Sequence, residues 1–271
     1  MSFVFDFALK THPGLVRPLN EDAVGADPTA GLFVLADGLG GYNAGEIASA
    51  MAVSTLLAQL SAALDDAARQ GEPFDPRRAL FDALIDMNGC IFRAALNSAA
   101  FEGMATTVVI AWLLGERLWV AHTGDSRLYR LRDGELLQLT RDHSFSQELL
   151  DAGMVTADEA RLLPAKNLVT RALGASPDIE PEVHDYDLRA GDVVLLCSDG
   201  LSEMVGAGEI AALVRAQLPD ITEAARRLVD AANQAGGRDN TSVVLVQVRH
   251  NVAPMLNDGR PTEAAADALP A

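Results

Sequence analysis

Two-residue turns between short apolar runs constrain the fold of this 271-residue chain more than any other feature. Gly115-Glu116 separates the runs 106–114 and 117–123, and Asp133-Gly134 separates 126–131 from 135–139. Turns of this length join antiparallel strands, because a parallel pair needs a crossover connection of a dozen or more residues. These runs therefore predict antiparallel sheet.

Other segments add strands and helices around these hairpins. Strand-like runs occupy 32–36, 192–198 and 242–248. Apolar residues recur at helical spacing in 46–60, 76–100 and 221–235, and the second of these segments has Asp75 as its N-cap and Pro76 at its first helical position. Hairpins combined with distant helices favour an α+β fold in which helices pack outside antiparallel sheets.

The sequence predicts one domain over residues 3–250. Residues 144–175 mix short helical pieces with Pro164 and Gly174, and we expect them to form a flap-like insertion over one end of the sheets. Residues 251–271 are rich in Ala, Pro and Asp, which is typical of a disordered C-terminal tail.

Charge and cysteine content exclude several classes of partner. The chain has 21 Lys and Arg against 38 Asp and Glu, a formal charge of −17, which repels nucleic-acid phosphate and anionic membrane surfaces. Cys90 and Cys197 form no zinc-binding or disulfide pattern. The N-terminus lacks a basic segment, and the longest apolar run, 108–114, is too short to span a bilayer. We expect a cytoplasmic monomer.

Five aspartates stand where strand-like runs begin or end: Asp22, Asp37, Asp125, Asp199 and Asp239. A single Asp before Gly is an ordinary turn residue. Several carboxylates gathered at neighbouring strand ends would each cost several kcal/mol to bury unless cations neutralised them. Oxygen ligands without His or Cys companions favour Mg²⁺ or Mn²⁺ over Zn²⁺, and two such ions can activate a shared water.

The same residues belong to an ordered set of motifs. In chain order these are 17–22 (RPLNED), 36–41 (ADGLGG), 124–129 (GDSRLY), 140–144 (TRDHS), 167–174 (NLVTRALG), 198–200 (SDG) and 239–240 (DN). In this order the chain resembles the metal-dependent serine/threonine protein phosphatases of type 2C, the PPM family, in their bacterial form. The resemblance implies a four-layer α/β/β/α sandwich, with two antiparallel sheets, a helix pair on each outer face and a two-metal site at one end.

The resemblance also implies a role for each acidic position. Asp37 would bridge two Mn²⁺ or Mg²⁺ ions, Asp199 and Asp239 would hold the first ion, and Asp22 with the Gly38 carbonyl would hold the second. The resemblance implies roles for three further positions. Asp125 would bind a possible third metal together with Asp199, and Glu21 would assist Asp22. Arg17 would bind the substrate phosphate. Arg17 and Asp37 are thus the implied catalytic residues.

The activity implied by the resemblance is hydrolysis of phosphoserine and phosphothreonine in proteins. A metal-bridging hydroxide would attack phosphorus in line, and the enzyme, a phosphoric monoester hydrolase, would act in signalling by opposing a serine/threonine kinase and dephosphorylating that kinase and its targets. Two departures leave details open. Leu39 replaces the histidine that eukaryotic relatives often carry as a candidate acid, and 163–167 lacks the His-Pro pair of many flaps.

Other interpretations remain open or are disfavoured. The fold could act on a small phosphorylated metabolite, or bind phosphoproteins without hydrolysing them. A thiol phosphatase built on Cys197 is disfavoured because Glu203 stands where that chemistry needs Arg, and a dinucleotide-binding turn because Asn43 takes the third glycine position. Histidines lack metal-ligand spacing, with His143 the best candidate for an exception. Arg127 and Arg171 are expected to form structural ion pairs.

Overall fold

The computed structural model describes residues 3–40, 44–164 and 167–250. The motif residues 41–43, the flap residues 165–166 and the predicted tail at 251–271 lie outside this description. The strands are β1 (Phe3–His12), β2 (Asp22–Asp27), β3 (Leu32–Leu39), β4 (Ala105–Thr106), β5 (Val108–Leu114), β6 (Arg117–Thr123), β7 (Arg127–Arg132), β8 (Glu135–Gln138), β9 (Glu182–Asp187), β10 (Val193–Cys197) and β11 (Thr241–His250).

The helices cluster in three parts of the chain. They are α1 (Ala44–Gln70), α2 (Pro76–Asn97), α3 (Phe145–Asp151), α4 (Ala157–Leu162), α5 (Asp199–Ser202), α6 (Ala207–Gln217) and α7 (Ile221–Gln234). Asp75 caps α2 by accepting a hydrogen bond from Arg78 N, as its position before Pro76 predicts. The short α3 and α4 lie within the predicted flap.

Two antiparallel sheets form the centre of the molecule. The first sheet has the strand order β1-β11-β10-β7-β8, and the second has β2-β3-β5-β6-β9 with β4 paired to β3. Alternation along the strands separates three apolar layers. Phe33 and Leu35 face the first sheet's Val194 and Val244 in the layer between the sheets, whereas Leu32 faces outward.

Helices cover both outer faces. Residues of α1 and α2 pack on the outer side of the second sheet, where Leu56 and Leu84 meet Trp112. Residues of α6 and α7 pack on the outer side of the first sheet, where Val214 and Leu228 belong to one buried cluster. The predicted α/β/β/α sandwich is therefore confirmed.

Several element predictions were wrong or incomplete. Strands β1, β2 and β9 and helix α6 were missed, and α1 is longer than the predicted 46–60 because an alanine-rich segment continues it to Gln70. We expected Asp22 to precede a loop, but it begins β2. The β2 sequence DAVGAD has low strand propensity, and pairing with β3 and packing under α1 override that propensity.

Within the described residues, α1 has the length and apolar composition that a membrane-crossing helix would need. The sequence of α1 contains no long uninterrupted apolar run, because acidic and hydroxyl side chains interrupt it. In the fold, Ala48, Leu56 and Leu60 of α1 are buried in the cluster against the second sheet. Core packing accounts for these apolar positions.

Candidate metal and phosphate site

Asp22 and Asp37 lie opposite each other at the end of the second sheet. They are register partners in the β2–β3 pair, so the sheet itself brings their carboxyl groups together. Asp22 is 9% exposed, and its Oδ2 accepts a 2.8 Å hydrogen bond from Ser198 Oγ. Its Oδ1 is buried without a hydrogen-bond partner. An unpartnered buried carboxylate oxygen is costly, and a cation ligand would satisfy it.

The first sheet contributes Asp199 and Asp239 to the same end. Asp199 follows β10 as the first residue of α5, and Asp239 precedes β11, the neighbour of β10. Ser198 joins the two sheets, because its Oγ donates to Asp22 and accepts from Ser242 N at 3.0 Å. Sequence reasoning gave Ser198 no role. Its only signal was a small polar side chain beside a predicted ligand.

Gly38 and Glu21 pack closely beside Asp37. Gly38 N donates to the Glu21 carbonyl at 3.1 Å, and a Cβ at position 38 would overlap the carbonyl of Gly45. Only glycine fits this approach of three backbone segments. Burial raises the pKa of the Glu21 carboxyl, and the neighbouring Arg17 partly offsets that rise.

Burial, followed by like charge, raises the pKa values of the carboxyl groups in the cluster. Burial is the main cause that raises the pKa of Asp22 to about 6. Burial, followed by the charges of neighbouring aspartates, raises the pKa of Asp37 and of Asp199 well above the ordinary value. Carboxylates held at this density favour protonation or a bound cation. Their oxygen-only donor set fits Mg²⁺ or Mn²⁺.

Arg17 brings a positive charge to this cluster. It lies in the loop between β1 and β2, and its Nη2 donates to Asp239 Oδ2 at 2.6 Å. The hydrogen bond and the charge of Asp239 raise the pKa of the guanidinium further. The Arg17 side chain is 54% exposed, so its remaining N–H donors are accessible to a ligand.

Asp125 lies beside a cavity that separates the cluster from the flap. The cavity has a volume of about 490 Å³ and is lined by Asp125, Asp199 and Glu203 on one side and by Gln147 of α3 and Ala160 of α4 on the other. Burial first, and then the charge of Asp142, raises the pKa of Asp125 to about 7. The structure therefore places the predicted third-metal residue next to Asp199.

Arg127 is a structural partner, as predicted. Its guanidinium holds Asp142 through Nε and Nη2, with Nη2 2.6 Å from Asp142 Oδ2. Burial lowers the pKa of the Arg127 guanidinium, and the hydrogen bonds that it donates to Asp142, together with the charge of Asp142, raise the pKa by more. This pair lines the cavity, but the charges of Arg127 and Asp142 neutralise each other. For Arg171 the described contacts give no ion pair to compare with the prediction.

One histidine cluster offers possible ligand atoms that all lie within 4.8 Å of one another, namely His122, His143 and Glu182. Gly124 N donates to His143 Nδ1, so the proton of neutral His143 lies on Nε2, which bonds Glu182 Oε1 at 3.1 Å. His122 Nε2 donates to Arg141 O. Because the Nε2 proton of neutral His143 lies between that ring and Glu182, these two side chains form a hydrogen-bonded pair and not two ligands of one ion, while His122 Nδ1 is buried without a hydrogen-bond partner.

Stacking of the two rings supports the same conclusion. The His122 and His143 centroids lie 4.9 Å apart, with their planes within 19°. Lone pairs in two nearly parallel ring planes run side by side and do not converge on one ion. Sequence reasoning singled out His143 but missed His122 and Glu182, whose separation in sequence gives no signal.

The profile of the family described as Protein phosphatase 2C matches residues 17–240 of this chain. The chain belongs to the protein phosphatase 2C family. That match contains each of the acidic positions described above, from Glu21 to Asp239.

Relatives within the family cover nearly all of the described fold. The serine/threonine protein phosphatase PstP of Mycobacterium tuberculosis is 41% identical over 249 residues, which is 92% of this chain and 46% of PstP. The protein phosphatase PhpP of Streptococcus pneumoniae is 36% identical over 254 residues, 92% of this chain and 99% of PhpP. This chain thus spans about half the length of PstP.

Solved structures show the same architecture. A crystal structure of PstP superposes with a TM-score of 0.82 at 40% identity, covering 91% of this chain and 100% of that chain. A structure of the PstP catalytic domain in complex with two manganese ions gives a TM-score of 0.79 at 40% identity, covering 92% and 100%.

Cys197 lies in this protein phosphatase 2C fold as a buried strand residue. It is fully buried in β10, and burial raises the pKa of its thiol to about 12, so the nucleophilic thiolate is absent at neutral pH. We expect Cys197→Ser to retain most phosphatase activity and to lose about 1–2 kcal/mol of stability through the buried hydroxyl. Steady-state kinetics and thermal unfolding measure both effects. Loss of turnover with an intact fold would restore the thiol mechanism.

Proposed function

We propose that this chain hydrolyses phosphoserine and phosphothreonine in proteins and so opposes a serine/threonine kinase. The observation that carries the proposal is the gathering of Asp22, Asp37, Asp199 and Asp239 from both sheets around an unpartnered carboxylate oxygen, beside Arg17. Its support from relatives is that PstP is named a serine/threonine protein phosphatase and PhpP a protein phosphatase.

Two divalent cations, Mn²⁺ or Mg²⁺, are the proposed cofactors. Asp37 would contact both ions, Asp199 and Asp239 the first, and Asp22 with the Gly38 carbonyl the second. Bound ions of this kind supply an activated water and neutralise phosphate charge. The manganese-bound PstP structure supports this choice. Asp125, with Asp199, is proposed for a third ion, and Glu21 for assisting Asp22.

Arg17 is proposed to bind the substrate phosphate. One of its terminal nitrogens bonds Asp239, which orients the planar guanidinium, while the other N–H groups face outward. A fork of N–H donors matches two oxygens of a phosphate dianion. Asp239 would therefore act twice, as a metal ligand and as the group that aims Arg17.

The wider setting of the chain belongs to the same proposal. We propose a single catalytic domain at 3–250 with a flap at 144–175, and a monomer in the cytoplasm. Its partners would be phosphorylated proteins, including a serine/threonine kinase and the targets of that kinase. The charge of −17 favours these partners over nucleic acids and anionic membranes.

The first test is phosphate release from a phosphothreonine peptide by the purified chain, with Mn²⁺, with Mg²⁺ and with EDTA. We expect release that requires metal and is lost in Asp239→Asn. A small phosphorylated sugar in the same assay tests the metabolite interpretation, because preference for it would contradict a protein substrate. Peptide binding without release under any metal would instead support a non-catalytic phosphoprotein-binding module.

A further inference from the structure

We propose that Asn240 is a positioning residue that sets the loop carrying Arg17, and through that loop the affinity for phosphate. This inference rests on the proposed function, because it assumes that Arg17 binds the substrate phosphate. Asn240 follows the predicted metal ligand Asp239 in sequence, and its side chain bonds the backbone of the loop between β1 and β2.

Both the oxygen and the nitrogen of the Asn240 side-chain amide form hydrogen bonds with this loop. Asn240 is 6% exposed, its Nδ2 donates to Pro13 O at 3.0 Å and to Leu19 O at 2.8 Å, and its Oδ1 accepts from Glu21 N at 2.7 Å. A primary amide has two N–H donors, so both donors are satisfied. The contacts span the loop, with Arg17 between them.

Hydrogen bonds, and not apolar burial, hold this loop in place. Its apolar side chains are exposed, with Leu15 66%, Val16 67% and Leu19 46% accessible to solvent. Burial of these side chains therefore does not fix the backbone. Two other anchors lie on the same turn as Asn240, because Leu15 N donates to Gly237 O at 2.7 Å and Arg17 bonds Asp239. Toward the C-terminal end of the loop, Asn20 Nδ2 donates to Thr11 Oγ1 at 2.7 Å, and the Glu21 carbonyl accepts from Gly38 N and Ser49 Oγ.

Two adjacent residues of the segment 237–240 therefore contact the Arg17 loop in different ways. Asp239 aims the guanidinium directly, and Asn240 sets the backbone from which the guanidinium projects. Asn240 N also donates to Asp239 Oδ1 at 2.9 Å through the backbone, so that bond survives a change of the Asn240 side chain. An Asn240 substitution can therefore loosen the Arg17 loop while leaving Asp239 oriented.

The chain contains a matched control in Asn88 of α2. Asn88 is 2% exposed, its Nδ2 donates to the carbonyls of Ser176 and Pro177, and its Oδ1 accepts from Gly174 N at 2.7 Å. Asn88→Ala and Asn240→Ala therefore each remove two hydrogen bonds donated to carbonyls and one accepted from a backbone N–H. Both side-chain amides are buried, and they hold two different loops. Equal loss of stability is expected from both.

The experiment compares Asn240→Ala, Asn88→Ala, Arg17→Ala and the double variant Arg17→Ala/Asn240→Ala. In EDTA, the backbone amides of residues 13–21 should exchange hydrogen faster in Asn240→Ala than in the wild-type chain. Their exchange rates should not change in Asn88→Ala. Calorimetric affinity of the Mn²⁺-loaded protein for inorganic phosphate should fall about tenfold in Asn240→Ala and less than about twofold in Asn88→Ala. Mn²⁺ affinity should stay within about threefold in both.

Kinetics and the double variant decide the route of the effect. We expect the KM for a phosphothreonine peptide to rise about tenfold in Asn240→Ala with a smaller fall in kcat, and the same change to add less than about twofold when Arg17 is already alanine. A full tenfold effect in the Arg17→Ala background, or equal effects of Asn88→Ala, would overturn the inference.

Failure of the proposed function has a different signature. A wild-type chain that binds inorganic phosphate but releases none from peptides would contradict the proposed function, while hydrogen exchange and phosphate affinity would still decide the role of Asn240. Unchanged phosphate affinity in Arg17→Ala would overturn the inference directly. It would show that Arg17 does not bind phosphate, so positioning Arg17 could not affect the affinity.

Discussion

Asp37→Asn is expected to lower metal-dependent phosphate release by about 1000-fold or more, because several kcal/mol of charge stabilisation depend on ions held at this cluster. Asp37 faces Asp22 across the β2–β3 pair, and the charges of Asp22, Asp199, Asp125 and Asp239 all raise its pKa, so it lies among the other aspartates. Phosphate release from a phosphothreonine peptide at saturating Mn²⁺ measures the loss.

The same substitution should leave the fold intact and make the metal-free protein more stable. The substitution removes a buried carboxyl whose pKa is raised first by burial and then by the charges of Asp22 and Asp199, and the neutral amide does not carry that charge. Circular dichroism and thermal unfolding in EDTA at pH 7.5 measure this effect. Asp133→Asn is the matched control, since Asp133 lies in an exposed hairpin turn at φ 51°, which Asn tolerates well. Comparable activity in Asp37→Asn and Asp133→Asn would remove the basis for the two-metal site.

Stability of the metal-free protein should fall as pH rises from about 4 to about 7. The pKa of Asp22 is raised to about 6 and that of Asp125 to about 7, mainly by burial. Between the ordinary value and these values the folded state holds more protons than the unfolded state, so the free energy of unfolding decreases with pH.

Urea unfolding in EDTA at several pH values tests this trend. Asp125→Asn should flatten it, because the amide does not titrate, and Asp133→Asn should leave it unchanged. Saturating Mn²⁺ should abolish the decline, since a bound cation stabilises the ionised carboxylates. A metal-free protein that gains stability between about pH 4 and pH 7 would show that burial and like charge do not raise the pKa of these carboxyl groups.

Local patterns were sufficient to predict much of the sandwich. The continuous apolar runs of β10 and β11 and the turn at Asp133-Gly134 identify strands, because the apolar residues of these strands lie in buried layers. They could not identify β2, whose residues become a strand only through pairing with β3 and packing under α1. Strand order is also nonlocal: β1 pairs with β11, which lies at the opposite end of the domain in sequence.

Site prediction had a similar limit. Acidic side chains at strand ends signal a metal site by their type and position, so Asp22 and Asp199 could be found from the sequence. The residues that orient them act through geometry: Ser198 donates to Asp22 across two sheets, and Asn240 spans a loop more than two hundred residues away. Hydrogen bonds of this kind leave no periodicity or spacing in the sequence.

The contribution of both sheets to one site has a mechanical consequence. Asp22 and Asp37 come from the second sheet, Asp199 and Asp239 flank strands of the first, and Ser198 provides a direct hydrogen bond between the two. Ions held by all four carboxylates would cross-link the two layers at their open end. Metal loading would therefore restrict sliding of one sheet over the other, and the alignment of the sandwich would in turn set the spacing between the ions.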